Sequence, residues 1–341
     1  MSEAGIGEIK PSPPGVTDAV TKSAERRPYR ELGPEERGLD AGSVALPGLL
    51  DSIDWPYVSG RFRAVDFDFG LRTTDPEIGA YLGEIFRDMT VSGRPSRWYS
   101  LFDRGERTKP RWGLYLNDED VTASANPEAC IGRLVWHINR QVILSTEDKV
   151  LIHAAAAERD GSAVVLAAPM ESGKTTLVAG LVMAGLRYIT DEAVAIDPAT
   201  GLIHAYPKAL SIDPGSWKVL EDLSPTLDVA DRDLSPRQWQ VPASRIRPDA
   251  VASVAEPRLI LSPRYDPGQK TEATPVSRAE MVSLLAQSTF EFERWPVWKL
   301  GVLSEMVRKC DSYRVTISTL EEGRDLVLDL LEQAVSHSGA V

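Results

Sequence analysis

The sequence predicts an α/β protein in two parts, a small α+β domain over residues 43–148 and a larger α/β domain over residues 149–336, with a disordered leader over residues 1–42. Three observations predict this organisation. The leader is rich in proline, glycine and charge, so it buries too little apolar surface to offset the entropy of ordering. Residues 61–69 read as an alternating strand. After residue 150, apolar strands follow one another with an apolar helix between them, as α/β domains require.

Composition excludes several classes of partner. The formal charge is −12 at pH 7, and no basic stripe with interleaved aromatic residues is present, so nucleic acid is not an expected partner. Cys130 and Cys310 lie far apart and outside any metal-ligand spacing, which fits a reducing compartment. Residues 1–10 contain no signal-like apolar stretch, and no apolar run approaches the roughly 20 residues that cross a bilayer. We therefore expect a cytoplasmic protein with no membrane partner.

The first domain is predicted from periodicity alone. Pro76 is expected to open a helix that reaches residue 89. Strand-like segments follow at residues 98–102 and 112–116, and residues 127–144 form an amphipathic helix with one apolar stripe. Nothing in this domain indicates chemistry.

The second domain is predicted from alternating apolar runs, turn residues and helix caps. Its expected strands cover residues 150–157, 163–168, 187–190, 194–197, 202–206 and 313–318, and its expected helices cover residues 174–183, 278–287, 297–307 and 320–335. Asp160-Gly161 is the predicted turn between the first two strands, and Gly185 is the predicted end of the first helix.

Residues 168–176, Ala-Pro-Met-Glu-Ser-Gly-Lys-Thr-Thr, carry the strongest chemical signal. They follow an apolar strand and open a helix, which is the context that a phosphate-binding loop needs. Backbone N–H groups and the helix N-terminus would hold the phosphates of ATP. Lys174 is expected on the β- and γ-phosphates, and the Thr175 hydroxyl on Mg²⁺. The predicted nucleotide-binding residues are Glu171, Ser172, Gly173, Lys174, Thr175 and Thr176.

One position departs from the usual loop pattern, because Ala168 stands where glycine is typical. Alanine is costly there only if the turn needs a positive φ. The alternative reading, a chance Ser-Gly-Lys-Thr-Thr at a helix start, is disfavoured by the order of strand, loop and helix.

Asp191 and Glu192 follow a short strand that returns from the predicted helix, so both acids are expected beside the loop. One carboxylate can hold Mg²⁺, and the other can accept a proton from an attacking hydroxyl. Neighbouring residues of a strand point to opposite faces, which favours different roles. The alternative is a solvated acidic turn.

His153 lies in an apolar strand and must find a polar partner there, either the acids or a phosphate. Taken alone, a satisfied core histidine is the simpler interpretation. Four basic residues are candidates to neutralise charge on a transferred phosphoryl group, and spacing does not choose among them. They are Lys208, Arg245, Arg247 and Arg264.

In order and spacing, His153, the loop and the Asp191-Glu192 pair resemble the C-terminal catalytic domain of HPr kinase/phosphorylase. The chain resembles even more closely the divergent HPr-kinase-related proteins of bacteria, which include peptide-tailoring kinases of lasso-peptide pathways. This resemblance implies a P-loop kinase fold of the HPr kinase/PEP carboxykinase-like type. It also implies Asp191 as general base, Glu192 with Thr175 as metal ligands, Lys174 on the phosphates and His153 as an auxiliary catalytic group.

Two departures from the family bear on the substrate. Glu192 replaces a second aspartate, and no Arg-Gly-rich segment follows the acids, which argues against HPr itself as the acceptor and against reversal by phosphorolysis. We expect ATP-dependent phosphorylation of a serine or threonine hydroxyl in a small protein or peptide. A small-molecule kinase, for example of free serine, and a non-catalytic ATP-gated binding module are the alternatives. Homo-oligomerisation stays open.

Overall fold

A computed structural model describes residue 48 and residues 50–225 and 234–338. The predicted leader, residues 1–42, lies outside the described residues. The described part of the chain is mixed α/β and contains three sheets and eight α-helices. None of the described helices has both the length and the apolar composition needed to cross a membrane.

The first sheet is seven-stranded, with the order β4-β2-β3-β5-β6-β7 and β1 paired to β3. The elements are, in chain order, β1 (Tyr57–Val58), β2 (Arg61–Ala64), β3 (Phe67–Thr73), α1 (Pro76–Ile85), β4 (Thr90–Val91), β5 (Trp98–Asp103), β6 (Trp112–Leu116), β7 (Glu119–Ser124) and α2 (Pro127–Ser145). The Asp75 carboxylate accepts hydrogen bonds from the first-turn N–H groups of Glu77 and Ile78, which fixes the start of α1.

Two expectations in this part were wrong in detail. Residues 61–69 are not one strand, because Val65, with φ of 53°, turns the chain and makes β2 and β3 a hairpin. The helix that begins at Pro76 ends at Ile85, and the predicted last turn is a separate 3₁₀ helix over Arg87–Met89.

The second sheet is nine-stranded and carries the loop identified in the sequence. Its main path is β11-β9-β10-β16-β13-β12-β8, and β18 pairs with both β16 and β17. The elements are β8 (Val150–His153), β9 (Ala155–Arg159), β10 (Ser162–Leu166), α3 (Lys174–Met183), β11 (Arg187–Thr190), β12 (Ala193–Ile196), β13 (Ile203–His204), β14 (Leu210–Ile212), α4 (Pro214–Trp217), β15 (Trp239–Val241), α5 (Ala243–Ile246), β16 (Val254–Tyr265), β17 (Glu272–Pro275), α6 (Arg278–Gln287), α7 (Pro296–Lys309), β18 (Asp311–Ile317) and α8 (Leu320–Ser338). Strands β14 and β15 form a separate two-stranded sheet.

Helices cover both faces of the second sheet. Alternate residues of β10 enter different cores: Val164 and Leu166 pack with α3 and α8, whereas Val165 packs with α6 and α7. This alternation follows from the two-residue period of a strand. The chain continues from the end of β10 through the loop into α3, so the N-terminus of α3 follows the carboxyl end of β10.

Strand β16 is a central strand that the sequence did not predict. It lies between β10 and β18, parallel to both, although it contains Pro257 and Pro263. Ala163 pairs with Pro257 and Val164 with Leu259, so Arg258 is the extra residue of a bulge beside the first proline. Bulges are among the few places where a sheet accepts proline.

The two predicted domains share one hydrophobic core cluster. Residues of the first part, such as Phe69 and Leu134, belong to the same cluster as Leu151, Tyr206 and Phe290 of the second. The division of the chain into two domains at residue 148 stays a prediction.

Candidate functional site

The loop between β10 and α3 has a backbone suited to binding phosphate. Glu171 has φ of 61°, and Gly173, which caps α3, has φ of 88°. Left-handed residues in a turn bring successive N–H groups to one side and form an anion-binding concavity. Ala168 is buried and is not among the described residues with positive φ, so alanine causes no backbone strain there.

Lys174 is buried over this loop, with 6% of its surface exposed. Its Nζ donates hydrogen bonds to the carbonyl oxygens of Ala168 and Pro169, each at 2.8 Å. Burial lowers the pKa of Lys174 to about 8, and the nearby charges of Glu192 and Asp191 oppose that shift. The group is therefore still mainly cationic at neutral pH.

Asp191 is surrounded by donors. Its carboxylate accepts hydrogen bonds from the Tyr188 hydroxyl at 2.8 Å, the Ser211 N–H at 3.2 Å and the Thr175 hydroxyl at 3.4 Å. The Lys208 ammonium lies 2.7 Å from Oδ1. Only 2% of the Asp191 side chain is exposed, so this carboxylate is fixed in place.

Glu192 has a different environment, although it is the next residue. Its side chain is 21% exposed, and the Lys208 ammonium lies 3.9 Å from Oε2. Burial raises the pKa of Glu192, while the charge of Lys208 works against the increase. This carboxylate is therefore less restrained by donors than that of Asp191.

His153 lies beside Glu192. Its Nδ1 is 3.2 Å from the Glu192 backbone oxygen and 4.0 Å from the carboxylate Oε1, and its ring meets Phe290 edge-on. Burial lowers the pKa of His153 to about 4, and the charge of Lys174 adds to the shift. A carbonyl only accepts, so this bond puts the ring proton on Nδ1 and leaves Nε2 as an acceptor.

The acids and the histidine lie at one interruption of an antiparallel ladder. Thr190 pairs with Ala156, and Ala193 pairs with His153, so the register is unchanged across the break between β11 and β12. The break brings Asp191 and Glu192 opposite the junction of β8 and β9. Local irregularity of this kind re-aims side chains without moving the rest of a sheet.

Among the four basic candidates, the structure brings only Lys208 to the acids. Arg245 pairs with Glu84, and Arg264 pairs with Asp266. Arg247 donates to the carbonyl oxygens of Gly185 and Leu186. These three arginines are held by contacts elsewhere.

Two partners of Asp191 were missed in the sequence. Tyr188 comes shortly before Asp191 in the chain, but regular strand alternation would put their two side chains on opposite faces. Ser211 reaches Asp191 through its backbone N–H, which no residue pattern marks. Thr176, the last of the predicted nucleotide-binding residues, shares a hydrogen bond of 2.6 Å with the Ser216 hydroxyl.

Comparisons with known proteins give little beyond this geometry. No protein-family model matches the chain, and no curated protein matches it. Among solved structures, the chain is similar to the Hpr(Ser) kinase/phosphatase from Coxiella burnetii, at 12% identity over 56% of this chain and 99% of that chain, with a TM-score of 0.26.

Proposed function

We propose that the chain is an ATP-dependent phosphotransferase that phosphorylates an alcohol group. The observation that carries this proposal is the 3.4 Å hydrogen bond between Thr175, in the loop, and Asp191, which directly follows β11. It joins a phosphate-binding loop to a carboxylate pair, which is the combination that phosphoryl transfer uses.

The loop fits a nucleotide triphosphate. Ser172 Oγ is buried, and no hydrogen-bond partner is found for it among the described residues. A buried hydroxyl without a partner is costly, and phosphate oxygens would satisfy it. With the amides around Glu171 and Gly173 and the charge of Lys174, the loop supports binding of the β- and γ-phosphates.

The donor set around Thr175 fits Mg²⁺. The ion prefers oxygen ligands, takes few of them from protein and keeps water and phosphate oxygens for the rest. The described residues contain no cluster of three or more His, Cys, Asp or Glu side chains arranged for a metal, and a nucleotide-bound Mg²⁺ does not need one. Thr175 and Asp191 would hold it. When bound, Mg²⁺ neutralises charge that develops on the phosphates.

The contacts of the two acids support a division of roles opposite to the one that the family resemblance implies. Asp191 already accepts from four donors, which fix its carboxylate, so it is suited to hold a bound Mg²⁺ in place. Glu192 is more exposed and has fewer partners, so it is suited to accept the proton of the attacking hydroxyl. We assign the role of general base to Glu192. The competing hypothesis gives that role to Asp191.

His153 has the position of an auxiliary group for Glu192. It holds the Glu192 backbone through Nδ1 and presents Nε2 as an acceptor. A neutral imidazole there can align a hydroxyl group without competing for the phosphates. The acceptor that we propose is a serine or threonine hydroxyl of a small protein or peptide.

A transfer assay tests the function. Purified protein is incubated with radiolabelled ATP and Mg²⁺, and with either hydroxyl-bearing peptides or free amino acids including serine. Label on peptide supports the proposal, and label on free serine supports a small-molecule kinase. ATP binding by calorimetry with no transfer and no hydrolysis would favour a binding module. Lys174→Ala is the inactive control, because it removes the charged phosphate contact.

The roles of the acids are separated by two amide variants. Glu192→Gln should bind ATP and Mg²⁺ as the wild type does and lose about 10² to 10⁴ in transfer rate. Asp191→Asn should weaken Mg²⁺-dependent ATP binding, measured per folded molecule because the variant also leaves the buried Lys208 charge without its partner. If Asp191→Asn binds normally but loses transfer, while Glu192→Gln remains active, the base is Asp191.

A further inference from the structure

Tyr265 is an exposed aromatic residue beside the phosphate-binding loop. It ends β16, the strand next to β10, and 58% of its surface is exposed. Among the described residues, no hydrogen bond or ring contact involves its side chain.

The position of Tyr265 follows from the sheet. Strands β10 and β16 are parallel, and the Ala167 N–H donates to the Leu261 carbonyl at 2.8 Å, so the two chains leave the sheet at the same edge. Leu261 belongs to the core shared with α3. Tyr265 lies four residues further along the strand and therefore faces the same side, towards the start of α3.

Contact with the loop is direct. A Cβ placed on Gly173 would lie 3.6 Å from the Cβ of Tyr265, so the tyrosine packs against the residue that caps α3. Its backbone is held because Tyr265 pairs with Ile317 of β18, and the following residue, Asp266, donates to the Ile317 carbonyl at 2.9 Å. The ring is therefore presented from a rigid strand end.

Building on the proposed function, we infer that Tyr265 forms the platform on which the base of the bound nucleotide stacks. Phosphates in the loop leave the nucleoside outside it, beside the N-terminus of α3, where the Tyr265 ring is exposed. Every nucleobase has a flat π-face, so such a platform contributes affinity without selecting one base by hydrogen bonding. The inferred ligand class is a nucleoside triphosphate held by phosphates and base together.

The test compares a ligand that has a base with one that lacks it. Calorimetry measures binding of ATP and of inorganic tripolyphosphate, each with Mg²⁺, to the wild type, Tyr265→Ala and Tyr265→Phe. Alanine keeps the Cβ that touches Gly173, so the loop keeps its support. Val254→Ala, at the exposed opposite end of the same strand, is the matched control.

Tyr265→Ala should weaken ATP binding about 5- to 150-fold, because base stacking on an aromatic side chain contributes a free energy that converts to that factor. Tripolyphosphate binding should be unchanged, and Tyr265→Phe and Val254→Ala should bind both ligands like the wild type. Equal weakening of both ligands in a folded Tyr265→Ala protein, or weakening of neither, would overturn the platform. A wild type that binds neither ligand would instead reject the proposed function.

Discussion

At the scale of single residues, Lys208 and Asp191 form a buried ion pair in the candidate site. Both side chains are almost completely buried, at 4% and 2% exposure. Lys208 also donates to the Ala209 carbonyl and the Ser211 hydroxyl, each at 3.1 Å, so its protons are all used. A pair like this is stable only while both charges are present, because either one alone would be buried without compensation.

We predict that Lys208→Met lowers the free energy of unfolding by about 3–5 kcal/mol, because it leaves the Asp191 charge unpaired. Adding Asp191→Asn should recover a large part of that loss, since the amide is neutral and can still accept from Tyr188 and Ser211. Urea denaturation measures both effects. Arg308→Ala, which breaks an exposed pair with Glu305, is the control and should change little. A double variant no more stable than Lys208→Met would argue against the charge explanation.

His137 gives a pH dependence at the same scale. It is half-buried on α2, and the Tyr99 hydroxyl lies 2.8 Å from its Nδ1. Burial, together with the charges of Arg133 and Arg140, lowers the pKa of His137 from 6.5 to about 4. Between these pH values the unfolded chain binds the proton and the folded chain does not. The stability from neutral His137 is therefore complete above pH 6.5 and is lost as the pH falls towards 4.

We predict that the free energy of unfolding falls between pH 7 and pH 5, and that it falls less in His137→Gln, by about 1–2 kcal/mol. His153 contributes in the same direction, because burial lowers its pKa to about 4 as well. Denaturant titrations at several pH values measure the slope. Ile138→Val, a buried neighbour that does not titrate, should keep the wild-type slope. A His137→Gln protein with that same slope would show that the histidine is not the source.

At the scale of secondary-structure elements, two helical glycines have opposite surroundings. Gly79 of α1 packs against the Tyr57 ring: a Cβ there would overlap Tyr57 Cγ and lie 2.6 Å from its Cβ. Gly132 of α2 has no neighbouring atom within 4 Å of an added Cβ. The first glycine is needed for close packing, whereas the second only lowers helix propensity.

The same substitution should therefore have opposite effects at these two positions. Gly79→Ala is expected to destabilise by about 1–3 kcal/mol, as overpacking does, and to displace Tyr57. Gly132→Ala is expected to stabilise by about 0.5–1 kcal/mol, because alanine is the better helix former. Thermal unfolding of the two variants measures the difference. Equal effects of the same sign would contradict the packing of Tyr57 on α1.

Elements with strong local signals were predictable. The structure confirms the predicted helix α3 over Lys174–Met183. Its bounds were predictable because the loop fixes its start and Gly185, with φ of 103°, fixes its end. Strand β16 was missed, because its two prolines oppose a strand locally and only the bulge and the neighbouring strands accommodate them. In the candidate site, chain order placed the loop and the acids together. Lys208 could not be chosen, because its contact with Asp191 depends on how the chain turns between them.

At the scale of the whole molecule, polar contacts also connect the two parts of the chain. Tyr206 donates its hydroxyl proton to Asn139 at 2.5 Å, and both residues are buried. The Ser244 N–H donates to Asp88 at 3.0 Å, and Lys149 pairs with Asp66. With the shared apolar cluster, these contacts couple the stability of one part to that of the other.

We predict a single cooperative unfolding transition for the chain. Tyr206→Phe should lower the midpoint by removing the bond to Asn139, and the shift should be the same for backbone circular dichroism and tryptophan fluorescence. The loss expected for one buried hydrogen bond is about 1–3 kcal/mol. Tyr115→Phe, which removes the contact with Arg104 inside the first part, provides a comparison. Two separated transitions would mean that the parts fold independently.

The hydrogen bonds of Lys174 to the carbonyls of Ala168 and Pro169 have a consequence for ligand affinity. The loop supplies its own lysine with oxygen partners, so a phosphate competes with the protein for the ammonium group. Binding is then an exchange of partners, and the net free energy is the difference between two sets of contacts. Under the proposed function, such an internal competitor would favour rapid release of the spent nucleotide over tight retention. It would also make the site sensitive to inorganic anions, whose oxygens compete for the same ammonium group.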